Sequence, residues 1–394
     1  KFASMDAAAD PFDILARLPF TSKDDIERDN DALLAVEPEK IVDIVMSSGT
    51  TGMATKVMYT ESDLERLAYN ERKSFAGCNI SNRDTALLTC TLDRCFIAGL
   101  AYFVGLRALG AATIRNGHGS MESHLQMIRL HRPTVIVGVP TFIRKLGLYL
   151  QQAGFDPAAA GVKALVCIGE PLRTGDLLPT RVAADIERIW SAQAYSTYAS
   201  SETVTTFCEC EQRCGGHLHP DLAVVEVVDD GGVVLPAGEI GEVVVTPLQV
   251  EGMPLVRFRT GDVGFIIDEP CRCGRKSLRL GPILGRKKQM LKIRGTTVYP
   301  QAIFNALAEI DGVNDYYVRV SRIDDLSDAV EVHASVTDAG LTADELALRL
   351  QARIRVRPGV VIESDDALRK VVYTSGSRKP VRFLDARKSV AGAQ

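Results

Sequence analysis

Between residues 85 and 190 the sequence repeats one pattern, in which a short apolar run is followed by a longer segment of helical periodicity. The runs TALLTCTL (85–92), PTVIVGVP (133–140) and VKALVCIG (162–169) are typical of parallel strands that are buried on both faces. Helical segments such as AGLAYFVGLRALG (98–110) separate these runs. We therefore predict a parallel α/β layer made of successive β-α-β units.

From about residue 222 the apolar period changes to two. The runs LAVVEVVD, GEVVVTPL and VGFII are separated by the turn signals DDGG and PAGE, which predicts antiparallel strands. The last hundred residues have the pattern β-α-β-β-α-β. The predicted fold class is therefore α/β: a large N-terminal domain of mixed sheets with helices plus an antiparallel β subdomain (1–285), and a small mobile α+β C-terminal domain (286–394).

Charge and hydropathy exclude several classes of partner. The chain has 46 Lys and Arg against 50 Asp and Glu, a net charge of −4, which gives no electrostatic hold on nucleic acid or an anionic membrane. No apolar run reaches the roughly 18 residues that a membrane span needs. The first residues, KFASMDAAADPFD, lack the regions of a signal peptide. We expect a cytoplasmic protein, and, because the chain begins at Lys1, we expect some native N-terminal residues to be missing.

Nine cysteines, an odd number without an export signal, argue against a disulfide framework. Five of them cluster with two histidines in the segments CECEQRCGGHLH and CRCG: Cys208, Cys210, Cys214, His217, His219, Cys271 and Cys273. Three thiolates and one imidazole from this group would suit tetrahedral Zn²⁺ in a closed, structural site that staples a β region at about 205–275. The alternative is a group of reduced surface thiols.

A loop rich in glycine and hydroxyl groups follows directly after a predicted strand. Glycines let backbone amides turn toward an anion, and hydroxyls add donors that can follow a phosphate. The loop lacks the GK[ST] ending of a Walker loop, so that kind of phosphate cradle is not predicted. A flexible turn would explain these residues equally well if they stood alone. They are Ser47, Ser48, Gly49, Thr50, Thr51 and Gly52.

Six motifs occur together in one order: SSGTTG (47–52), IGEPL (168–172), YASSE (198–202), FRTGD (258–262), GRKKQMLKIRG (285–295) and KPVR (379–382). In this set and order the chain resembles the adenylate-forming acyl- and aryl-CoA synthetase superfamily, most closely the phenylacetate–CoA ligase type. The resemblance runs from about residue 10 to 387. It implies an AMP-forming ligase that joins a carboxylic acid to ATP, releases pyrophosphate, and transfers the acyl group to the thiol of coenzyme A.

The resemblance also implies roles for individual residues. Phosphoryl transfer is chiefly positioning and electrostatics, so cations, hydroxyls and Mg²⁺ are expected around ATP. Glu202 would ligate Mg²⁺, a metal that prefers oxygen ligands. Lys379 would bridge the acid and the α-phosphate during adenylation, and Lys288 is the candidate hinge of the small domain. The remaining implied nucleotide contacts are the loop 47–52 (with Thr50 among the catalytic groups), Glu170, Pro171, Tyr198, Ser201, Asp262 and Arg286.

Two further sites follow from the resemblance. Relatives with the pattern Cys…Gly-x-His…Cys-x-Cys-Gly select four zinc ligands, with Cys208, Cys214 or His219 as possible replacements for any of them. The acyl pocket is implied to be apolar and of moderate size, which favours an aryl or heteroaryl acid over a long acyl chain. The zinc ligands are Cys210, His217, Cys271 and Cys273, and the pocket residues are Phe96, Val139, Phe142, Ile168 and Ala199. A homodimer is a further family-level expectation.

Three other functions remain open at this point. The acyl adenylate could pass to a carrier-protein thiol or to an amine instead of coenzyme A. The chain could also be a catalytically silent homologue that binds a nucleotide. A zinc-dependent nucleic-acid module is disfavoured because Glu209, Glu211, Asp221 and Glu226 surround the cysteine cluster, and their charge has the wrong sign for a phosphate backbone.

Overall fold

The structure, a computed structural model, describes residues 10–47, 55–93, 95–293, 296–324, 327–338, 340–373 and 380–388. It divides into two compact units, Lys1–Ile283 and Leu284–Gln394. Each unit has its own hydrophobic core.

The helices of the first unit are α1 (Pro11–Arg17), α2 (Lys23–Arg28), α3 (Glu61–Gly77), α4 (Ile97–Leu109), α5 (Met121–His131), α6 (Pro140–Gln152) and α7 (Arg181–Trp190). Its strands are β1 (Thr21–Ser22), β2 (Ile41–Ser47), β3 (Thr55–Thr60), β4 (Thr85–Leu88), β5 (Ala112–Arg115), β6 (Val135–Gly138), β7 (Ala164–Ile168), β8 (Gln193–Ser200), β9 (Thr205–Cys208), β10 (Gly216–His217), β11 (Ala223–Val228), β12 (Gly241–Pro247), β13 (Phe258–Gly264), β14 (Ile266–Ile267) and β15 (Arg279–Leu280).

A six-stranded sheet with the order β5-β4-β6-β7-β8-β9 forms the centre of this unit. Neighbouring strands are parallel up to β8, and β9 returns antiparallel to β8. Every residue of β6 and β7 is buried, because helices cover both faces of the sheet. One apolar cluster packs α5, α6 and α7 on one face, and a second packs α3 and α4 on the other. The predicted parallel α/β layer is confirmed.

The local sequence explains where these elements begin and end. Thr60 and Asp63 form a capping box at the start of α3. Helix α4 ends at Gly110, whose φ of +83° is the left-handed conformation that glycine tolerates best at a helix end. The strand predicted at 85–92 is shorter than expected and ends at Leu88, where the Thr89 hydroxyl already donates to the Val137 carbonyl at 2.9 Å.

The antiparallel part of the unit contains a sheet with the order β1-β13-β12-β11 and a small sheet with the order β10-β15-β14. Opposing valines such as Val225 and Val245 pair across β11 and β12, as the period of two predicts. The short strand β1 runs parallel to β13. Beside it, the ring of Phe20 contacts two guanidinium groups. The Cζ atoms of Arg257 and Arg259 lie 4.1 and 4.2 Å from the centroid of the ring. This contact fixes the N-terminal segment to β13.

The second unit is α+β, and the predicted fold class is confirmed for both units. Its main sheet has the order β21-β20-β19-β22, and a two-stranded sheet pairs β17 with β18. None of the helices in the described ranges of either unit combines the length and apolar character that crossing a bilayer requires. The elements of this unit are β16 (Gly285–Arg286), β17 (Leu291–Ile293), β18 (Thr296–Val298), α8 (Pro300–Ala308), β19 (Val313–Asp324), β20 (Ser327–Val336), α9 (Ala343–Ile354), β21 (Gly359–Ile362), α10 (Asp365–Val372) and β22 (Phe383–Asp385).

Candidate active site

Several predicted site residues follow the carboxyl ends of neighbouring parallel strands. Val139 comes directly after β6, Glu170 and Pro171 come after β7, and Tyr198 lies in the last part of β8. The carboxyl ends of parallel strands meet at one edge of a sheet, which is where ligands bind in open α/β folds. The fold therefore gathers motifs that are far apart in the sequence at a single edge.

Glu170 is held against the first turn of α6. Its carboxylate accepts hydrogen bonds from the Thr141 backbone N–H at 3.1 Å and from the Thr141 hydroxyl at 2.8 Å. The preceding residue, Gly169, has a φ of +75°, which lets the chain turn sharply at the end of β7. Glu170 thus joins the loop after β7 to the loop after β6.

Tyr198 and Asp262, which lie 64 positions apart, are joined directly. The Tyr198 hydroxyl donates to Asp262 Oδ2 at 2.8 Å, and the Tyr198 ring stacks on Phe207 with the ring centroids 6.4 Å apart. Burial, followed by the charge of Asp262, raises the pKa of the Tyr198 hydroxyl well above its ordinary value. The phenol therefore stays protonated and remains a donor at neutral pH.

Glu202 lies in the turn between β8 and β9 and is only 8% exposed. The Ser200 hydroxyl donates to Glu202 Oε2 at 2.6 Å, and Lys23 Nζ lies 3.4 Å from Glu202 Oε1. The carbonyl of Ser201 accepts a hydrogen bond from the Tyr59 hydroxyl at 2.8 Å. Sequence reasoning missed Lys23, because the segment TSKDD reads only as the start of a helix until the fold brings it to Glu202.

The predicted phosphate loop begins where β2 ends. Ser47 pairs with Thr55 of β3, so these two strands form the base of a hairpin. The predicted residues Ser48, Gly49, Thr50, Thr51 and Gly52 lie outside the described residues, as does Lys379. Their roles remain predictions.

Two predicted residues that the structure describes belong to the second unit. Arg286 ends β16, and Lys288 lies in the turn of 3₁₀ helix that follows it. Just beyond this turn, Arg387 Nη1 donates to the Met290 carbonyl at 2.9 Å and to Asp328 at 3.0 Å. The backbone that follows the candidate hinge is therefore tied to the body of its own unit.

The residues of the predicted acyl pocket are divided between the two faces of the sheet. Ile168 belongs to the apolar cluster beneath α3 and α4, and Val139 packs against it. Phe142 packs in the cluster on the opposite face, edge-on to His124 with the ring centroids 5.3 Å apart. Phe96 is the N-cap residue of α4, and Ala199 is exposed on β8. The structure groups Ile168 with Val139 and separates Phe142 from them.

The candidate metal centre is built on the small sheet of β10, β15 and β14. The four predicted side chains Cys210, His217, Cys271 and Cys273 lie together, with their ligand atoms all within 4.8 Å of one another. The Cys210 and Cys271 sulfurs are 3.7 Å apart, and Cys273 Sγ is 3.4 Å from His217 Nε2. Ligands at a zinc–sulfur distance of about 2.3 Å would lie roughly 3.8 Å apart in a tetrahedron, so this donor set fits Zn²⁺.

The surroundings of His217 suit a metal ligand. Its Nδ1 forms a hydrogen bond of 3.0 Å with Ser277, which leaves Nε2 facing the cysteines. Burial, together with Arg275 and Arg279, lowers the pKa of His217 to about 4. The imidazole is therefore neutral at pH 7, the form that binds a metal ion.

The other candidate ligands are engaged elsewhere or lie at the rim. The Cys208 sulfur is 3.6 Å from Cys78 and 3.2 Å from the Thr197 hydroxyl in the core of the sheet. The Cys214 sulfur is 4.0 Å from Cys271 and accepts a hydrogen bond of 2.8 Å from Arg279. His219 is buried outside the group of four.

A buried ion pair lies immediately beside the candidate metal centre. Arg173 forms two hydrogen bonds of 3.1 Å with the carboxylate of Glu209, the residue before Cys210. Glu209 also accepts from the Ser196 N–H at 2.8 Å, and Arg173 donates to the Ala194 carbonyl at 2.9 Å. The pair therefore fixes the end of β9 against β8, and its arginine lies two residues after Pro171.

Comparison with known proteins agrees with this geometry. The fold is that of the adenylate-forming ligases: it matches a crystal structure of 2-hydroxyisobutyryl-CoA ligase in complex with 2-HIB-AMP with a TM-score of 0.82, at 22% identity, over 96% of this chain and 82% of that one. The AMP-binding enzyme family matches residues 5–250.

The chain is 34% identical to phenylacetate-coenzyme A ligase from Thermus thermophilus and 32% identical to that from Pseudomonas putida, in each case over 82% of this chain and 72% of the relative. It belongs to the AMP-binding enzyme family. The predicted resemblance to phenylacetate–CoA ligases, and with it the predicted class of an AMP-forming acid–CoA ligase, is confirmed.

Replacing Arg173 with methionine is expected to lower the free energy of unfolding by about 3–5 kcal/mol, because the Glu209 carboxylate stays buried without its cation. Urea unfolding followed by circular dichroism measures the change. Adding Glu209→Gln in the same chain should recover part of the loss, since no uncompensated charge then remains. Equal stability of the single and double variants would contradict this account of the pair.

Proposed function

We propose that this enzyme activates an aryl or heteroaryl carboxylic acid with ATP as an acyl adenylate, releases pyrophosphate, and transfers the acyl group to the thiol of coenzyme A. The observation that carries the proposal is the hydrogen bond from the Tyr198 hydroxyl to Asp262 at the carboxyl edge of the parallel sheet, where the buried Glu202 also lies. The relatives named above are phenylacetate-coenzyme A ligases, which favours a ring-bearing acid and favours coenzyme A over a carrier protein or an amine as acceptor.

The contacts described above support a proposed task for each group. The Tyr198 hydroxyl holds the Asp262 carboxylate in place, and that carboxylate is proposed to accept hydrogen bonds from the ribose hydroxyls while the Tyr198 ring lies beside the adenine. Glu170 and Pro171 form the other wall, and Thr141 fixes the Glu170 carboxylate in one orientation. These contacts position the nucleotide before the reaction, which is the main contribution that a protein makes to adenylyl transfer.

Glu202 is the proposed ligand of Mg²⁺. Its carboxylate offers the hard oxygen atoms that this ion prefers, and Ser200 and Lys23 limit its movement. When bound, Mg²⁺ would offset the negative charge of the phosphates. The loop 47–52, Ser201, Arg286 and Lys379 retain their proposed nucleotide contacts, and Lys288 its proposed role as the hinge.

The four residues Cys210, His217, Cys271 and Cys273 are proposed to hold a structural Zn²⁺. All four positions of a tetrahedron would be protein ligands, so the ion would have no open position for water and would act on stability rather than on the reaction. It would tie the end of β9 to the turn between β14 and β15.

The function is tested by measuring pyrophosphate release with ATP, Mg²⁺ and a panel of benzoic, phenylacetic, cinnamic and heteroaromatic acids, with and without coenzyme A. We expect release that depends on the acid, and an acyl-CoA product by mass spectrometry when coenzyme A is present. An adenylate as the only product, even with coenzyme A, would refute the proposed acceptor. No release with any acid, together with no binding of ATP, would refute the proposed activity.

Lys379→Ala should reduce formation of the acyl adenylate by roughly a hundredfold or more, because a cation that stabilises developing phosphoryl charge is lost. Transfer of the acyl group from a supplied acyl adenylate to coenzyme A should be little changed, since that step makes no new phosphoryl charge. The two half-reactions are measured separately, with the exposed Lys370→Ala as a matched control. Equal loss of both half-reactions would contradict the assigned role.

Cys271→Ser should abolish bound zinc and lower the melting temperature. Losing about 2–3 kcal/mol would lower the midpoint by roughly 3–5 °C in a unit of this size. Metal analysis by mass spectrometry and thermal unfolding measure the two effects, and the exposed Cys95→Ser serves as the control. Wild-type protein that contains no zinc when purified without chelator would end the proposal of a zinc centre.

A further inference from the structure

Strand β9 lies at the edge of the central sheet, and it is buried. Thr206 in its middle is only 1% exposed and stands opposite Ala199 of β8. In an antiparallel pair, alternate residues point their N–H and C=O groups away from the neighbouring strand. Buried groups of this kind are costly unless another part of the protein pairs with them.

One side chain of helix α3 forms hydrogen bonds with the backbone N–H and C=O groups of Thr206. Asn70 is fully buried, and its Oδ1 accepts a hydrogen bond of 2.7 Å from the Thr206 N–H. Its Nδ2 donates to the carbonyl of the same residue at 3.0 Å. The carboxamide of Asn70 therefore does for Thr206 what a peptide group of a neighbouring strand would do.

Neighbouring residues of α3 extend this contact. One turn earlier, Arg66 Nη1 donates to the Val204 carbonyl, and Arg66 Nη2 donates to the Thr205 hydroxyl at 3.1 Å. The Thr206 hydroxyl donates to Glu71 Oε1 at 2.5 Å. Thr206 is thus held by both of its backbone groups and by its side chain, and every partner lies on α3.

The position of Thr206 in β9 affects the surroundings of two residues of the candidate site. Glu202 lies four residues earlier, in the turn that joins β8 to β9, and Tyr198 of β8 pairs with Phe207, the residue after Thr206. A register shift of one residue in β9 would move the side chains of β9 to the opposite face, including the Phe207 ring that stacks on Tyr198, and would change the turn that carries Glu202. The hydrogen bonds between α3 and Thr206 therefore fix the register of β9, on which the turn with Glu202 and the packing of Phe207 against Tyr198 depend.

We propose that Asn70 is a positioning residue for the adenylation step, acting through Thr206 on the turn that carries Glu202. This inference rests on the proposed function, since it assumes that Glu202 and Tyr198 serve ATP and Mg²⁺. Asn70 is fully buried, so its effect on the site would pass through Thr206. Its effect is on where the Glu202 carboxylate lies relative to the edge of the sheet.

The test compares Asn70→Leu with Ser74→Ala. Leucine has nearly the shape of asparagine but pairs with neither backbone group of Thr206. Ser74 is the matched control, because it lies one turn further along the same buried helix and its hydroxyl donates only to the Asn70 carbonyl of its own helix, at 3.1 Å. The measurements are Mg²⁺-dependent ATP binding by calorimetry, the rate of adenylate formation, and the rate of acyl transfer from supplied acyl adenylate.

We expect Asn70→Leu to weaken Mg²⁺-dependent ATP binding and to slow adenylate formation by roughly tenfold to a hundredfold, the scale of a small misplacement of catalytic groups. The Mg²⁺ concentration for half-maximal adenylation should rise. Acyl transfer from the supplied adenylate should be little changed, as should every value for Ser74→Ala. The variant Asn70→Gln, which keeps both the acceptor for the Thr206 N–H and the donor for its carbonyl on a longer side chain, should show a smaller loss and keeps the test available if leucine prevents folding.

Three outcomes would overturn the inference. A folded Asn70→Leu protein with unchanged ATP binding and adenylation would show that Asn70 is not needed there. A parallel loss in both half-reactions, or in the Ser74→Ala protein as well, would indicate a purely structural role. A wild-type protein that binds no ATP would overturn the proposed function itself, and that result is seen before any variant is compared.

Discussion

The buried edge of the central sheet is the constraint on which the site depends. The four interior strands of the sheet form backbone hydrogen bonds with a strand on each side. Strand β9 pairs only with β8, and its other side faces the interior of the protein. Helix α3 satisfies that side with polar side chains, an uncommon use for the inner face of a helix. Because α3 also packs closely against α4, the same helix serves the apolar core and the polar edge.

The active-site candidates and the candidate metal centre are joined by this short strand. Glu202 precedes β9 and Cys210 follows it, so two proposed site residues that lie eight positions apart are both held by the same strand. The buried pair of Arg173 and Glu209 holds the far end, and Tyr59 holds the near end through the carbonyl of Ser201. A metal ion bound at Cys210 would therefore stabilise the same strand that orients Glu202, although the ion itself would take no part in the reaction.

The sequence was sufficient to predict secondary-structure elements with a local apolar pattern and sites whose residues form recognisable motifs. The β-α-β units, the period of two after residue 222, and the grouping of Cys210 with His217 could be found because apolar runs and ligand spacing are visible in one dimension. The contact of Lys23 with Glu202 and the pairing of Asn70 with Thr206 could not, because each joins segments more than a hundred residues apart and neither has a motif. Phe142 packs on the opposite face of the sheet from Val139, a placement that the sequence does not reveal, and its role in the acyl pocket stays a prediction.

The hydrogen bonds from side chains of helix α3 to the backbone of strand β9 can extend over only a limited length of the strand. Four residues of helix advance about 6.0 Å, whereas two residues of strand advance about 6.6 Å, so Arg66 and Asn70 can face Val204 and Thr206 almost in step. The helix and the strand thus move out of step by about 0.6 Å for each added pair of residues. A third pair would be misaligned by roughly 1.2 Å, which is more than a hydrogen bond tolerates. At that step Ser74 bonds to its own helix. A helix can therefore replace a strand as a neighbour for about two pairs of residues, and β9, four residues long, is about as long as such a substitute can serve.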